Sequence, residues 1–288
     1  MELIFLGTGA AEGAPASYCR CTTCQGVRER GGVELRTRSS LRIGQHHQID
    51  ISPDHYGQTI AAGTDMYDVE HILITHTHED HFTLPALTDK AMTRKTNDKM
   101  LSVYLSKPAL AYVEGLMERI LFSEKDLRWI REHLAFVGLE YFHEYTIGGF
   151  TVQTIKGNHT ARGVNEYSIN YLVGMPHGKR LLYACDTGYY QDEAWEYLSG
   201  KRVDTLVLEC TFAGKTDRGE FPGGHLDLAS YFKTLERMTR IGFIDDRTAV
   251  YATHFNPHQG LSHFDIQDRL QQSVWHATAA YDRLRVEV

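Results

Sequence analysis

The sequence lacks the features that place a chain in a membrane or send it out of a cell. None of its 288 residues belongs to an apolar run near the roughly 18 needed for a membrane-spanning helix. No basic stretch precedes the apolar start MELIFLGTGA, so no secretory leader is read there. Pro/Ser-rich linkers, low-complexity tracts and internal periods are missing, and with them the usual marks of repeats. There is no excess of positive charge. The formal net charge of −7 gives no global pull toward nucleic acid or anionic lipid, though it leaves a local basic groove open. Cysteines number five, an odd count with three crowded at Cys19, Cys21 and Cys24. That is no secreted disulfide framework; it suits a metal-binding loop in a cytoplasmic protein. The remainder, 42% hydrophobic and 23% charged, is enough for one full core. A single domain over residues 1–288 is expected, with a metal-binding loop inserted at about 14–38.

The apolar pattern predicts strands at Glu2–Leu6, Ser40–Ile43, Gln48–Ile51, Val69–Ile74 and Leu101–Leu105. Helices are predicted at Leu84–Thr93 and Lys107–Leu121. Gly148-Gly149 marks a hairpin between Tyr145–Ile147 and Phe150–Ile155, and a second pairs Tyr167–Val173 with Arg180–Ala184. Thr205–Glu209 and Ala249–Thr253 read as strands, Asp227–Arg240 and His263–His276 as helices. Two hairpin-rich halves that each close with strands and helices predict an α/β sandwich, helices outside and two sheets inside.

Ligand-type residues recur where these strands end. THTHEDH, residues 75–81, follows one strand and supplies His76, His78, Asp80 and His81. His159, Asp186 and His254 follow three others. Imidazole and carboxylate together suit zinc, manganese or iron. His76 and His78 share a face if the segment stays extended, whereas Asp80 and His81 turn toward a second position. Seven ligands exceed the needs of one tetrahedral ion; two ions about 3.5–4 Å apart would use them all. His76, His78 and His159 are assigned to one ion and Asp80, His81 and His254 to the other, with Asp186 bridging. A water held between two cations would ionise near pH 7 and become a hydroxide nucleophile.

HxHxDH is the signature that identifies the chain as similar to the metallo-β-lactamase superfamily. His159, Asp186-Thr187-Gly188 and His254 follow in that family's order. Leu84 stands where the family motif usually ends in Gly. The resemblance runs from LIFLGTGAAEGAP to YATHFNPH and implies an αββα four-layer sandwich with both metals at one edge.

Cys19, Cys21 and Cys24 offer three thiolates for a structural zinc, and His258 is the chosen fourth ligand. A redox-active pair or free surface thiols are the alternatives. Cys185 and Cys210 sit in apolar strands and read as inert core residues. The opening turn, the CxCxxC loop and the late Thr253-His254 pair with His258 beyond resemble the phosphoribosyl cyclic phosphate phosphodiesterases of the carbon–phosphorus lyase pathway. Relatives of this kind are often dimers, which leaves room for a homodimer.

An alkoxide leaving a phosphodiester needs a proton or a metal. Glu209 ends an apolar strand, where a carboxylate needs a partner. His225 opens a helix. A Glu209–His225 pair would hold a protonated imidazole as general acid, against the plainer roles of salt-bridged carboxylate and helix cap. The pairing resembles the dyad of the phosphodiesterase branch, including the tRNA 3′-processing endonucleases. Asp80 is counted with Glu209 and His225 in the catalytic set as well as among the ligands. Gly7-Thr8-Gly9 reads as a phosphate cradle or a plain turn. Tyr189-Tyr190 line the pocket or pack in the core. Asn158 could support a ligand, Asp50 and Asp54 could support ligands or simply cap, and His46-His47 read as a solvated turn.

The sequence therefore predicts a cytoplasmic hydrolase with two catalytic Zn²⁺ or Mn²⁺ ions and one structural Zn²⁺, acting on a small phosphodiester, a cyclic phosphate first. Nucleic acid ranks second as a partner, through a nuclease of the tRNA 3′-processing type, and no membrane is involved. A non-hydrolytic metalloprotein like that of pyrroloquinoline quinone biosynthesis is the third reading.

Overall fold

The computed structural model describes residues 1–92, 99–120, 123–161, 163–215 and 217–288. The first half runs β1 (Glu2–Gly7), α1 (Thr22–Arg30), β2 (Ser40–Ile43), β3 (His47–Ile49), α2 (His55–Ala62), β4 (His71–Leu73), α3 (Leu84–Met92), β5 (Leu101–Ser106), α4 (Lys107–Ile120), α5 (Glu124–Arg131) and β6 (Leu134–Leu139). The second half runs β7 (Glu144–Ile147), β8 (Phe150–Thr160), β9 (Tyr167–Gly174), β10 (Arg180–Ala184), α6 (Asp192–Leu198), β11 (Thr205–Glu209), α7 (Leu228–Arg240), β12 (Ala249–Thr253), α8 (His263–Gln271), β13 (Thr278–Ala279) and β14 (Arg285–Glu287). They build two seven-stranded sheets, ordered β14-β1-β2-β3-β4-β5-β6 and β13-β12-β11-β10-β9-β8-β7.

Side-chain alternation explains the layering. On β4, Leu73 enters the core between the sheets while Ile72 and Ile74 enter the core under α3 and α4. On β10, Leu181 and Tyr183 face the other sheet while Leu182 and Ala184 face the helical side with Trp195 of α6 and Leu235 of α7. Each sheet is thus apolar on both faces, and the molecule is the αββα sandwich that the sequence predicts. Among the described residues no helix is long and apolar enough to cross a membrane.

Four hydrogen bonds tie the sheets together beneath the histidine segment. Ile169 N–H of β9 donates to Thr75 O at 2.7 Å, and Tyr171 Oη to Ile74 O at 2.6 Å. The buried Glu166 carboxylate accepts from Thr77 N at 2.8 Å and from Ser106 Oγ at 2.9 Å. The parallel strands β10, β11 and β12 run the same way, so their C-terminal loops meet at one edge.

Several elements escape the sequence reading. The polar segment read as irregular contains α1, which buries Cys24 and Val27. The sequence pattern does not predict helices α2, α5 and α6 or strands β6, β13 and β14. α8 ends at Gln271, short of the predicted His276, where the Gln271 side chain bonds the carbonyls of His276 and Ala277 and turns the chain back. The predicted helix ends Thr93 and Leu121 lie outside the described residues.

Candidate metal centre

Two sets of ligand atoms converge at the common sheet edge. In the first, His76 Nε2 lies 2.8 Å from His78 Nδ1, and His159 Nε2 lies 3.1 Å from the same atom. Asp186 Oδ2 stands 3.4 Å from His76 Nε2 and 3.6 Å from His159 Nε2. In the second, His81 Nε2 lies 3.2 Å from Asp80 Oδ2, 3.3 Å from His254 Nε2 and 3.4 Å from Asp186 Oδ2. One carboxylate oxygen therefore belongs to both sets. The ligand atoms of His76, His78, His159 and Asp186 all fall within 4.8 Å of one another, as do those of His81, Asp186 and His254 with the Cys185 thiol. Cys185 is fully buried in the inter-sheet core, yet its sulfur lies at the wall of the second set, a proximity not read from the sequence.

His159 departs from the expected position. It does not follow a strand but lies inside β8, within an irregularity between Lys156 and Thr160. The extra residues there re-aim the chain.

The surroundings orient the rings. His81 Nδ1 bonds Asp50 Oδ2 at 2.7 Å, leaving Nε2 to face the second set. His159 Nδ1 donates to Gly224 O at 3.1 Å. His254 Nδ1 meets Thr211 Oγ1 at 2.9 Å, and that hydroxyl donates to Glu209 Oε2 at 2.6 Å. Such partners fix ring orientation and tautomer. Asp50, Asp186 and His254 all have φ between 51° and 62°, a region costly for residues with a Cβ. Their neighbours hold them there: Ser168 Oγ and Asn170 Nδ2 of β9 bond the carbonyls of Asp186 and Cys185.

The field is uneven. Burial holds His76 well below its ordinary pKa, and lowers His78 and His159, so these rings are neutral and ready to coordinate. Burial works against charge at His254 too, but Asp186 pushes it up to about 10. His81 is raised well above its usual value, because Asp80, Asp50 and Asp186 outweigh burial. Asp80 and Asp186 stay ionised despite burial because histidines surround them. Three carboxylates thus demand positive charge at the second set, and a proton or a divalent cation can supply it. Asp186 Oδ1 is buried with His254 Nδ1 at 3.0 Å and His225 Nδ1 at 3.5 Å, and neither contact has hydrogen-bond geometry. The residues fit a pair of divalent metals.

His225 lies just outside. Its Nδ1 is 3.5 Å from Asp186 Oδ1, and its ring centroid is 4.7 Å from that of His159. The expected pair with Glu209 takes another form: His225 Nδ1 is 3.9 Å from Glu209 Oε1, too long for a hydrogen bond. The Glu209 oxygens are occupied by the N–H groups of Gly188, Thr211 and Leu226 and by the Thr211 hydroxyl. Glu209 therefore anchors the backbone that carries His225. Burial opposes charge on His225, but Asp186 and Glu209 raise its pKa above the ordinary value.

The Cys19, Cys21 and Cys24 sulfurs gather within 4.8 Å of one another. His258 is not in that group. It is exposed, on a short turn at Pro257–Gln259, where its backbone N–H bonds Asn256. That turn packs against α1, so the expected fourth ligand stands beside the thiol cluster without joining it. His47 is not solvated as read but buried, stacked on Phe150 at 3.9 Å.

A family model described as the beta-lactamase superfamily domain matches residues 48–259, which span both ligand sets. The chain belongs to this superfamily. No curated protein matches its sequence. Solved structures share its fold at low identity. A diphosphatase from the PhnP family is 19% identical with a TM-score of 0.74, the match covering 100% of this chain and 97% of that one. Zn²⁺-bound PqqB from Methylobacterium extorquens is 16% identical with a TM-score of 0.72, each chain covered in full. Human tRNase Z, short form, is 17% identical with a TM-score of 0.62, covering 100% of this chain and 99% of its own.

Proposed function

We propose that this superfamily member is a binuclear metal-dependent hydrolase that cleaves a phosphodiester, a small cyclic phosphate first. The observation that carries the reading is the shared oxygen of Asp186 between two complete ligand sets, with His225 held beside it. His76, His78, His159 and Asp186 would hold one Zn²⁺ or Mn²⁺, and Asp80, His81, His254 and Asp186 the other. When bound, such a pair activates water at neutral pH and neutralises charge on a phosphoryl group. Cys19, Cys21 and Cys24 would hold a structural zinc.

The chain's own residues supply the rest. His225, raised toward its protonated form by Asp186 and Glu209, gives its proton to the departing oxygen. Arg218 pins that histidine, donating from Nε to His225 O at 3.0 Å and from Nη2 to Gly223 O at 3.1 Å. Lys215 and Arg218 both lie over the Phe212 ring, which meets His225 edge-on. They bring positive charge to the mouth of a chain that is acidic as a whole, as an anionic substrate requires. Two of the similar structures, the diphosphatase and the tRNase, also bear phosphate-cleaving names.

The test is turnover of bis-p-nitrophenyl phosphate against a β-lactam and a thiolester by protein loaded with Zn²⁺ or Mn²⁺. Diester hydrolysis is expected, and His225→Ala should lower kcat by roughly 10²–10⁴-fold. Equal rates for wild type and variant would remove His225 from the reaction. Cleavage of the thiolester alone would overturn the phosphodiester assignment, and inactivity on all three with both positions filled would favour a carrier.

A further inference from the structure

A cleft of about 420 Å³ opens beside the metal centre, lined by Asn158, Tyr189, Gln191, Asp192, Phe221 and Arg237. Its volume is within the range of small-ligand sites. Asn158 is the residue before His159, so the cleft wall and a proposed ligand share one stretch of β8. Between cleft and metals runs the strap 222–224. Gly224 N donates to Asn158 O at 2.7 Å, and Tyr189 N to Pro222 O at 2.8 Å. Gly223 and Gly224 leave this strap without side chains. A Cβ on Gly224 would lie 3.9 Å from His159 Nδ1, so the bare strap is a low saddle into the proposed active site.

The lining has the chemistry of a flat, polar-edged ring. Phe221 is 59% exposed; its ring meets Tyr189 at 4.7 Å and has the Lys233 ammonium over it at 5.5 Å. Around it stand two carboxamides, a carboxylate and a guanidinium. Arg237 stacks on Trp195 at 4.6 Å. Its polar contacts are long: 3.5 Å to Tyr189 Oη and 3.4 Å to Asp192 Oδ1. Asp192 is almost fully exposed. Gln191 reaches Asn158 only at 3.4 Å. Asn158 Nδ2 is held by Tyr189 O at 3.0 Å, but Gln191, Asp192 and Arg237 offer weakly engaged donors and acceptors beside an exposed aromatic ring, the arrangement that reads a base edge while the ring stacks.

We infer that this cleft is a nucleobase subsite, so that the phosphodiester cleaved at the metals belongs to a nucleotide whose base lies across the strap on Phe221. The inference rests on the reading of the site as a phosphodiesterase, and its test separates the two. Phe221 is largely exposed, so Phe221→Ala should fold normally. Adenosine 2′,3′-cyclic phosphate is compared with methyl riboside 2′,3′-cyclic phosphate, which has the same scissile ring and no base. Wild type should prefer the adenosine compound by about tenfold or more in kcat/KM, mostly through KM, and Phe221→Ala should remove most of that preference. Arg237→Gln should reduce it as well. Equal efficiency on both compounds, or a preference unchanged in Phe221→Ala, overturns the subsite while leaving the phosphodiesterase standing. If no diester is cleaved, calorimetric binding decides: AMP should bind wild type about tenfold more tightly than Phe221→Ala does. Equal affinities, or AMP binding no better than ribose 5-phosphate, overturn it.

Discussion

Asp186 is a single residue in an uncomfortable conformation, with φ at 51°, buried among histidines and sharing one oxygen between two ligand sets. Its role depends on neighbours that are themselves held. Asp50 is the clearest of these, because its bond to His81 Nδ1 fixes which nitrogen faces the second set. Asp50→Asn keeps the shape but loses the charge, and should weaken metal retention or activity by about 10–100-fold. Metal content after dialysis, read by elemental analysis, checks this. The side chains that converge here are legible in the sequence as candidates, since imidazoles and carboxylates crowded after an apolar strand have few other uses. Asp50 was read as one of several options, and Glu166 was not read at all. Glu166 lies 89 positions from the Thr77 backbone it holds, and nothing local in its sequence announces that contact. The form of the Glu209–His225 pairing is hidden for the same reason: the sequence names both partners, but only the fold shows three backbone N–H groups reaching Glu209 and leaving His225 at 3.9 Å.

At the scale of elements, strand ends and the loops beyond them decide the site. The loop after β10 and the strap before α7 touch at Gly188, where an added Cβ would lie 2.7 Å from Gly224 N and 2.9 Å from Pro222 O. Its φ is 56°, so Gly188→Ala adds left-handed strain of about 1–2 kcal/mol to this clash. The variant should melt several degrees lower. Its metal content should stay closer to wild type than its kcat, because the strap carries His225 rather than a ligand. Parallel thermal melts, metal analysis and rate assays check this. Strands and the two hairpins were readable because apolar alternation and Gly148-Gly149 are local signals. Helix α1 was not, since TTCQGVRER is polar throughout and is held by tertiary contacts, among them Arg28 bonding the carbonyls of Ala16 and Cys19. β13, with 2 residues, and β14, with 3, are too short for any pattern.

At the scale of the whole molecule, pH acts through buried imidazoles remote from the metals. Burial pulls His47 down to about 4, and burial with the nearby Arg36 does the same to His263. On unfolding, both return to about 6.5. Between those values the unfolded chain binds more protons, so stability falls as pH drops from about 6.5 toward 4, and is undiminished on this account above 6.5. His47→Phe, which keeps the stack on Phe150, should flatten part of that slope. Melting temperatures measured across this window should converge for wild type and variant at the acid end, relative to their gap at neutral pH.

The stitching of β9 to residues 74–77 bears on how the centre comes into being. Half of the proposed cage hangs from one sheet and half from the other, yet Ile169, Tyr171 and Glu166 join the halves through bonds that owe nothing to an ion. The two halves are therefore braced by the protein alone, and a cation entering between them would meet side chains already held in place.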